Sequence, residues 1–80
     1  MFYVYCITSE SSHGGRYIGF TEDLKQRVAD HNHASNRSTV AGRPWRLKGY
    51  VAFDTKTAAL GFERYLKGGS GHAFAHRHLW

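Results

Sequence analysis

The sequence predicts a small mixed α/β domain of the α+β kind: a three-stranded antiparallel sheet flanked by helices, in the order β-β-α-β-α-α. The chain has 80 residues, enough for one thin core and for a single domain spanning residues 1–80. Apolar residues make up 41% of it and aromatics 15%, too much for a disordered tail. Short runs of aromatic and β-branched residues alternate with segments that carry helix caps, and polar, glycine-bearing stretches separate them.

Phe2–Ile7 is aromatic and β-branched and reads as the first strand. Ser9 to Gly15 is a polar loop ending in glycine, and Arg16–Phe20 is a second short strand, so the two form a hairpin. Thr21 caps a helix that opens on Glu22 and Asp23, acids suited to the positive end of a helix dipole, and that runs to His33. Ala34–Pro44 is small, polar and basic, with Gly42 and Pro44, and reads as a loop. Alternation through Trp45–Phe53 predicts a third strand with Trp45, Leu47, Val51 and Phe53 on one face. Asp54 or Thr55 caps a second helix that ends near Lys67, and Gly68-Gly69-Ser70-Gly71 breaks it. His72–Leu79 is a short final helix.

Charge narrows the partner. Eleven Lys and Arg stand against six Asp and Glu, for a net charge of +5. A basic domain of this size calls for a polyanion, most simply nucleic acid. The distribution says more than the sum. No acid occurs from His31 to Phe53 or from Arg64 to Trp80, so Arg37, Arg43, Arg46, Lys48 and Lys67 are the expected nucleic-acid contacts. The apolar run Tyr3–Ile7 is too short to cross a bilayer, and no basic leader with a long apolar segment opens the chain. One cysteine, Cys6, excludes an internal disulfide. The expectation is a cytoplasmic protein without a membrane partner.

Polar side chains interrupt both helical stripes. Leu24 and Val28 define the apolar face of the first helix, with Arg27 and His31 on or beside it. Ala59, Phe62 and Leu66 define that of the second, with Glu63 beside Ala59. An arginine and a glutamate facing inward need a partner or a cleft. They are a structural Arg27–Glu63 ion pair, side chains that snorkel out to solvent, or the floor of an active site with one cation and one metal-ready carboxylate. On the hairpin, Tyr3 and Tyr5 share a face, and strand pairing brings Tyr17 near Tyr5.

Tyr3-Val4-Tyr5, Tyr17-Ile18-Gly19, Arg27, His31 and Glu63 together resemble the GIY-YIG nuclease superfamily. Arg43-Pro44-Trp45 and the stretch Tyr65–Gly71 resemble its small stand-alone bacterial branch, the URI-type proteins. The resemblance implies a metal-dependent endonuclease that hydrolyses DNA phosphodiester bonds in repair or recombination. It implies that Tyr5 and Tyr17 sit beside the scissile phosphate, with Tyr17 the better candidate for activating water. It further implies that Arg27 stabilises the phosphate, that His31 lies close to the reacting centre, and that Glu63 holds one Mg²⁺ or Mn²⁺, with no organic cofactor. DNA is the implied substrate, with a protein partner or a separate DNA-binding subunit supplying affinity. Three positions depart from the family pattern. Tyr3 replaces a glycine, Phe20 stands where some members carry lysine, and no asparagine follows Asn36.

The residue types suit this chemistry. An arginine fork matches phosphate oxygens, and a lone carboxylate suits Mg²⁺, which keeps most of its waters. Two other functions use the same residues. One is a nucleic-acid-binding module that does not cut. The other is a zinc site built on His31 and His33 or on His72 and His76, for which one cysteine and no HExxH pattern are weak support.

Overall fold

The structure is a computed structural model that describes residues 1–11, 14–33 and 40–80. Its elements are β1 (Phe2–Ser9), β2 (Arg16–Thr21), α1 (Leu24–Asn32), β3 (Trp45–Phe53), α2 (Lys56–Leu66) and α3 (Gly69–His78), with a short 3-10 turn at Val40–Gly42. The sheet order is β2-β1-β3 and both pairings are antiparallel. The expected β-β-α-β-α-α order and α+β class are therefore what the chain adopts.

Strand alternation divides the molecule into two layers of packing. Tyr3, Tyr5 and Ile7 of β1 share a face with Thr21, Gly19 and Tyr17, their partners on β2. Leu24 and Val28 of α1 cover that face, packing against a buried group of Tyr5, Ile7 and Trp45. The opposite face carries Val4 and its β2 partner Phe20. There Val4, Ala59, Leu66 and Ala75 are buried together, so α2 and α3 form the other outer layer.

Several local expectations change. β3 does not keep its apolar residues on one face. Cys6 pairs with Gly49 and Ile7 with Leu47, so Lys48 is an extra residue without a partner across the strand. Such a bulge shifts the alternation by one position. Trp45 and Leu47 join the Tyr5 face, whereas Val51 and Phe53 lie opposite Val4 and Phe2 on the other. β1 extends beyond Ile7 because Thr8 and Ser9 pair with Arg46 and Trp45.

The helix caps also move. Thr21 ends β2 and spends its hydroxyl on the turn, accepting from Asp23 N at 3.0 Å. Asp23 is the cap of α1, its carboxylate accepting from Gln26 N at 3.0 Å. Thr55, rather than Asp54, caps α2 through Ala58 N at 3.2 Å. α3 starts at Gly69, so the glycine stretch opens a helix as well as closing one. A Cβ on Gly71 would overlap the Tyr65 carbonyl, and only glycine lets α3 cross the end of α2 this closely.

Candidate active site

The alternation that buries Tyr5 also builds a polar cluster beneath α1. Tyr5 and His31 both have 0% relative exposure, yet both carry polar atoms that must find partners. They find each other: Tyr5 Oη lies 2.7 Å from His31 Nε2. Tyr17, diagonal to Tyr5 across the hairpin, sets its ring edge-on to His31 at 5.1 Å and tilted to Tyr5 at 6.3 Å. Arg27, one turn before His31 on α1, is partly buried and close enough to Tyr5 to act on its ionisation.

The electrostatics agree with that arrangement. Burial first, then the neighbouring Tyr17, pushes Tyr5 up to about 12, against the opposing pull of Arg27; Glu63 adds to the rise. Burial and the Arg27 charge hold His31 below its ordinary value, against the opposing pull of Asp30. At neutral pH the buried pair is uncharged, and Arg27 is the cation of the cluster.

Glu63 approaches from the other layer. Its side chain is 21% exposed and its Oε2 lies 3.3 Å from Lys67 Nζ, one turn along α2. Its ion partner is therefore Lys67 and not Arg27, which removes the structural Arg27–Glu63 pair. Glu63 remains close enough to Tyr5 to act on its ionisation. The end of α2 meets the β2 edge here, where Tyr17, Leu66 and Lys67 line a common pocket.

Two residues to which the sequence assigned no role of their own hold the cluster in place. Gly19 lies beneath the Tyr5 ring, and a Cβ there would stand 2.6 Å from Tyr5 Cζ. Asn32 uses its side-chain amide as a strand would, accepting from Trp45 N and donating to Trp45 O at 3.0 Å. That tie pins the end of α1, and with it His31, to β3. Gly19 is visible in the sequence only as part of a triplet, and Asn32 only as a polar helix end.

The expected nucleic-acid contacts are spread out. Arg43 is exposed just before β3, and Arg46 and Lys48 are exposed on this edge strand. Arg46 pairs with Glu10 at 3.6 Å. Lys67 lies apart from them as the C-cap of α2 and pairs with Glu63. Arg37 lies outside the described residues. A cleft of about 580 Å³ between the α1 N-terminus, Tyr3 and Tyr50 contains none of the clustered residues.

Among the described residues, no group of three His, Cys, Asp or Glu side chains is arranged to hold a metal ion. A zinc site on His31 and His33 or on His72 and His76 therefore lacks its further ligands there. What the cluster offers is one partly exposed carboxylate, Glu63. That donor set fits a hard, water-rich ion such as Mg²⁺, with Lys67 yielding its partner.

A hairpin carrying two tyrosines, followed by an inward arginine and histidine and a carboxylate two elements later, has a counterpart among known domains. Residues 1–74 match the GIY-YIG catalytic domain. The chain belongs to the GIY-YIG family. This GIY-YIG chain is 39% identical over 69 residues to the structure-specific endonuclease subunit SLX1 homolog of Giardia intestinalis, covering 79% of this chain but 19% of that protein. It is 38% identical over 66 residues to the UPF0213 protein HQ_3675A of Haloquadratum walsbyi, covering 81% of this chain and 72% of the other. A UPF0213 protein of Lacticaseibacillus paracasei is 42% identical over 60 residues, covering 74% and 67%. No solved structure matches the chain significantly. GIY-YIG membership supports a nuclease-type function. Among the described residues, no helix is long and apolar enough to cross a membrane.

Proposed function

We propose that this chain is a divalent-metal-dependent DNA endonuclease that hydrolyses phosphodiester bonds in repair or recombination, working in the cytoplasm. The observation that carries the reading is the Tyr5–His31 hydrogen bond of 2.7 Å, with Arg27 and Tyr17 gathered on the same pair. So much buried polarity in so thin a core is costly, and it is repaid if it positions groups for chemistry.

Burial divides the roles. Tyr5 and His31 are fully enclosed, so they act as positioning residues that fix Arg27 and Tyr17. Arg27, partly exposed beside this pair, neutralises the phosphate as charge builds in the transition state. Tyr17 is partly exposed and orients the attacking water; as the new O–P bond forms and the bond to the leaving oxygen breaks, the water's proton goes to bulk solvent and the leaving oxygen takes one from it. Glu63 would hold one Mg²⁺ or Mn²⁺ ion, which when bound polarises the phosphate and acidifies water. The Giardia relative is named as a subunit and the match covers 19% of it, so the reading includes a protein partner or separate DNA-binding subunit that supplies affinity.

The test is cleavage of branched, single-stranded and duplex DNA in Mg²⁺ and Mn²⁺. Wild type should cut, and Glu63→Gln should bind DNA without cutting it. Cleavage by Glu63→Gln at the wild-type rate in Mg²⁺ would overturn the reading, as would wild-type cleavage that survives excess EDTA.

A further inference from the structure

A second pocket opens where the β2 edge meets the α2–α3 junction. It encloses about 360 Å³ and is lined by Arg16, Tyr17, Lys67, His72 and Trp80 over a floor of Ile18 and Leu66. This volume lies at the small end of the usual range for ligand sites, about 300–1,000 Å³. It offers room for one nucleotide rather than for a stacked base pair. No Asp or Glu side chain lines it.

Its cations are held ready. The Arg16 guanidinium lies over the Trp80 ring, 5.2 Å from the centroid, and its Nη1 donates to His76 Nδ1 at 3.3 Å. Trp80 is itself packed against the buried core of α2, α3 and the sheet, so it gives Arg16 a fixed base. Arg16 has no carboxylate partner among the described residues, and a guanidinium carries five donors, so most of its donors are open to an anion. Lys67 and His72 flank the start of α3, whose cap Gly68 offers no side-chain hydrogen bond to the first turn. Tyr17 belongs both to this pocket and to the Tyr5–His31 cluster.

We infer that this pocket binds the nucleotide next to the scissile phosphate, in a single-stranded DNA segment, with Arg16 and His72 on its phosphate and Trp80 as the apolar wall. This rests on the nuclease reading and names its substrate class. A nucleotide stacked within a duplex cannot enter a concave site of this size, whereas an unpaired one brings both a phosphate for the cations and a base for the rings.

The experiment measures binding in EDTA, where no cleavage occurs, with a fluorescent oligothymidine and a blunt duplex of equal length across a salt series. Arg16→Gln should weaken oligothymidine binding about tenfold and reduce the salt slope by about 0.7, the value for one phosphate contact on a single strand. Duplex binding should change much less. Lys56→Gln, at the opposite end of α2, removes the same charge and should bind as wild type does. Oligothymidine should also quench Trp80 emission, and Trp80→Phe should abolish that quenching. The inference is overturned if Arg16→Gln binds like wild type, if Lys56→Gln loses as much, if the duplex suffers equally, or if quenching persists in Trp80→Phe. Cleavage by a wild-type protein whose Arg16→Gln variant binds normally removes this inference alone. Binding as described with no cleavage on any DNA leaves a single-stranded nucleotide site at this pocket and removes the nuclease reading together with the site's place beside a scissile phosphate.

Discussion

The two faces of the sheet are made from alternate residues of the same strands, yet they do opposite work. On the face covered by α2 and α3, Val4, Ala59, Leu66 and Ala75 are buried together, ringed by Phe2, Phe20, Phe53 and Phe62. On the face covered by α1, Tyr5, Ile7 and Trp45 are also buried, but a hydrogen bond between a phenol and an imidazole lies among them. The first face stabilises the fold through apolar burial, which is non-directional and tolerant of detail. The second spends stability on orientation, because each buried polar atom must be matched or it costs more than it contributes. A small domain can carry such a face only if the other supplies the core. The comparison teaches where to look for function: in the layer that buries polar atoms beside its apolar ones.

The comparison breaks most readily at the apolar face. Leu66→Ala should cost about 2–5 kcal/mol, a large share of the stability of so small a domain, and thermal melting would record a steep fall. A loss below that range would mean that α2 does not anchor the core. The next effect belongs to the polar face. Arg27→Ala should lower cleavage by about 10²–10³-fold while the melting temperature stays near that of wild type, because Arg27 is partly exposed and has no carboxylate partner among the described residues. A collapse in melting temperature with no specific kinetic loss would turn Arg27 into a structural residue.

Tyr5→Phe sharpens the contrast. It keeps the ring over Gly19 but leaves His31 Nε2 without the Tyr5 hydroxyl, and should cost about 1–3 kcal/mol by chemical denaturation, with a fall in kcat and little change in DNA affinity. Unchanged stability would show that the hydrogen bond contributes nothing net. The smallest effect is a pH dependence. His31 is held below its ordinary value when folded, so the unfolded chain takes up its proton first as the pH falls. Its contribution is fully present above about pH 6.5 and declines below that until the folded value is reached. At the alkaline end, Tyr5 at about 12 lies above the ordinary phenol, so stability declines again above about pH 10. Melting curves of wild type and His31→Gln between pH 7 and pH 5 should converge as the pH falls. Parallel curves would show that His31 is not buried neutral.

Much of this was legible because it depends on neighbours in the chain. Aromatic and β-branched runs specified three strands, and the spacing of Ala59, Phe62 and Leu66 was enough to identify the inward stripe of α2. The polar residues out of place on those stripes, Arg27, His31 and Glu63, were visible for the same reason: periodicity tells which side chains face inward. Partners across the fold were not visible. The pairing of Glu63 with Lys67 rather than Arg27, the seat of Tyr5 over Gly19, and the Asn32 clasp on Trp45 all depend on which segments meet and in what register. Lys48 shows the limit most directly. One unpaired residue in β3 moved Val51 and Phe53 to the opposite face from Trp45 and Leu47, against an alternation that the sequence displays without a break. Local pattern governs the kind of element a segment forms, since its backbone bonds and side-chain period are short-ranged. Register, burial depth and the division between an enclosed Tyr5 and a partly exposed Tyr17 were decided only by the tertiary structure, because each is a property of strands and helices packed against one another.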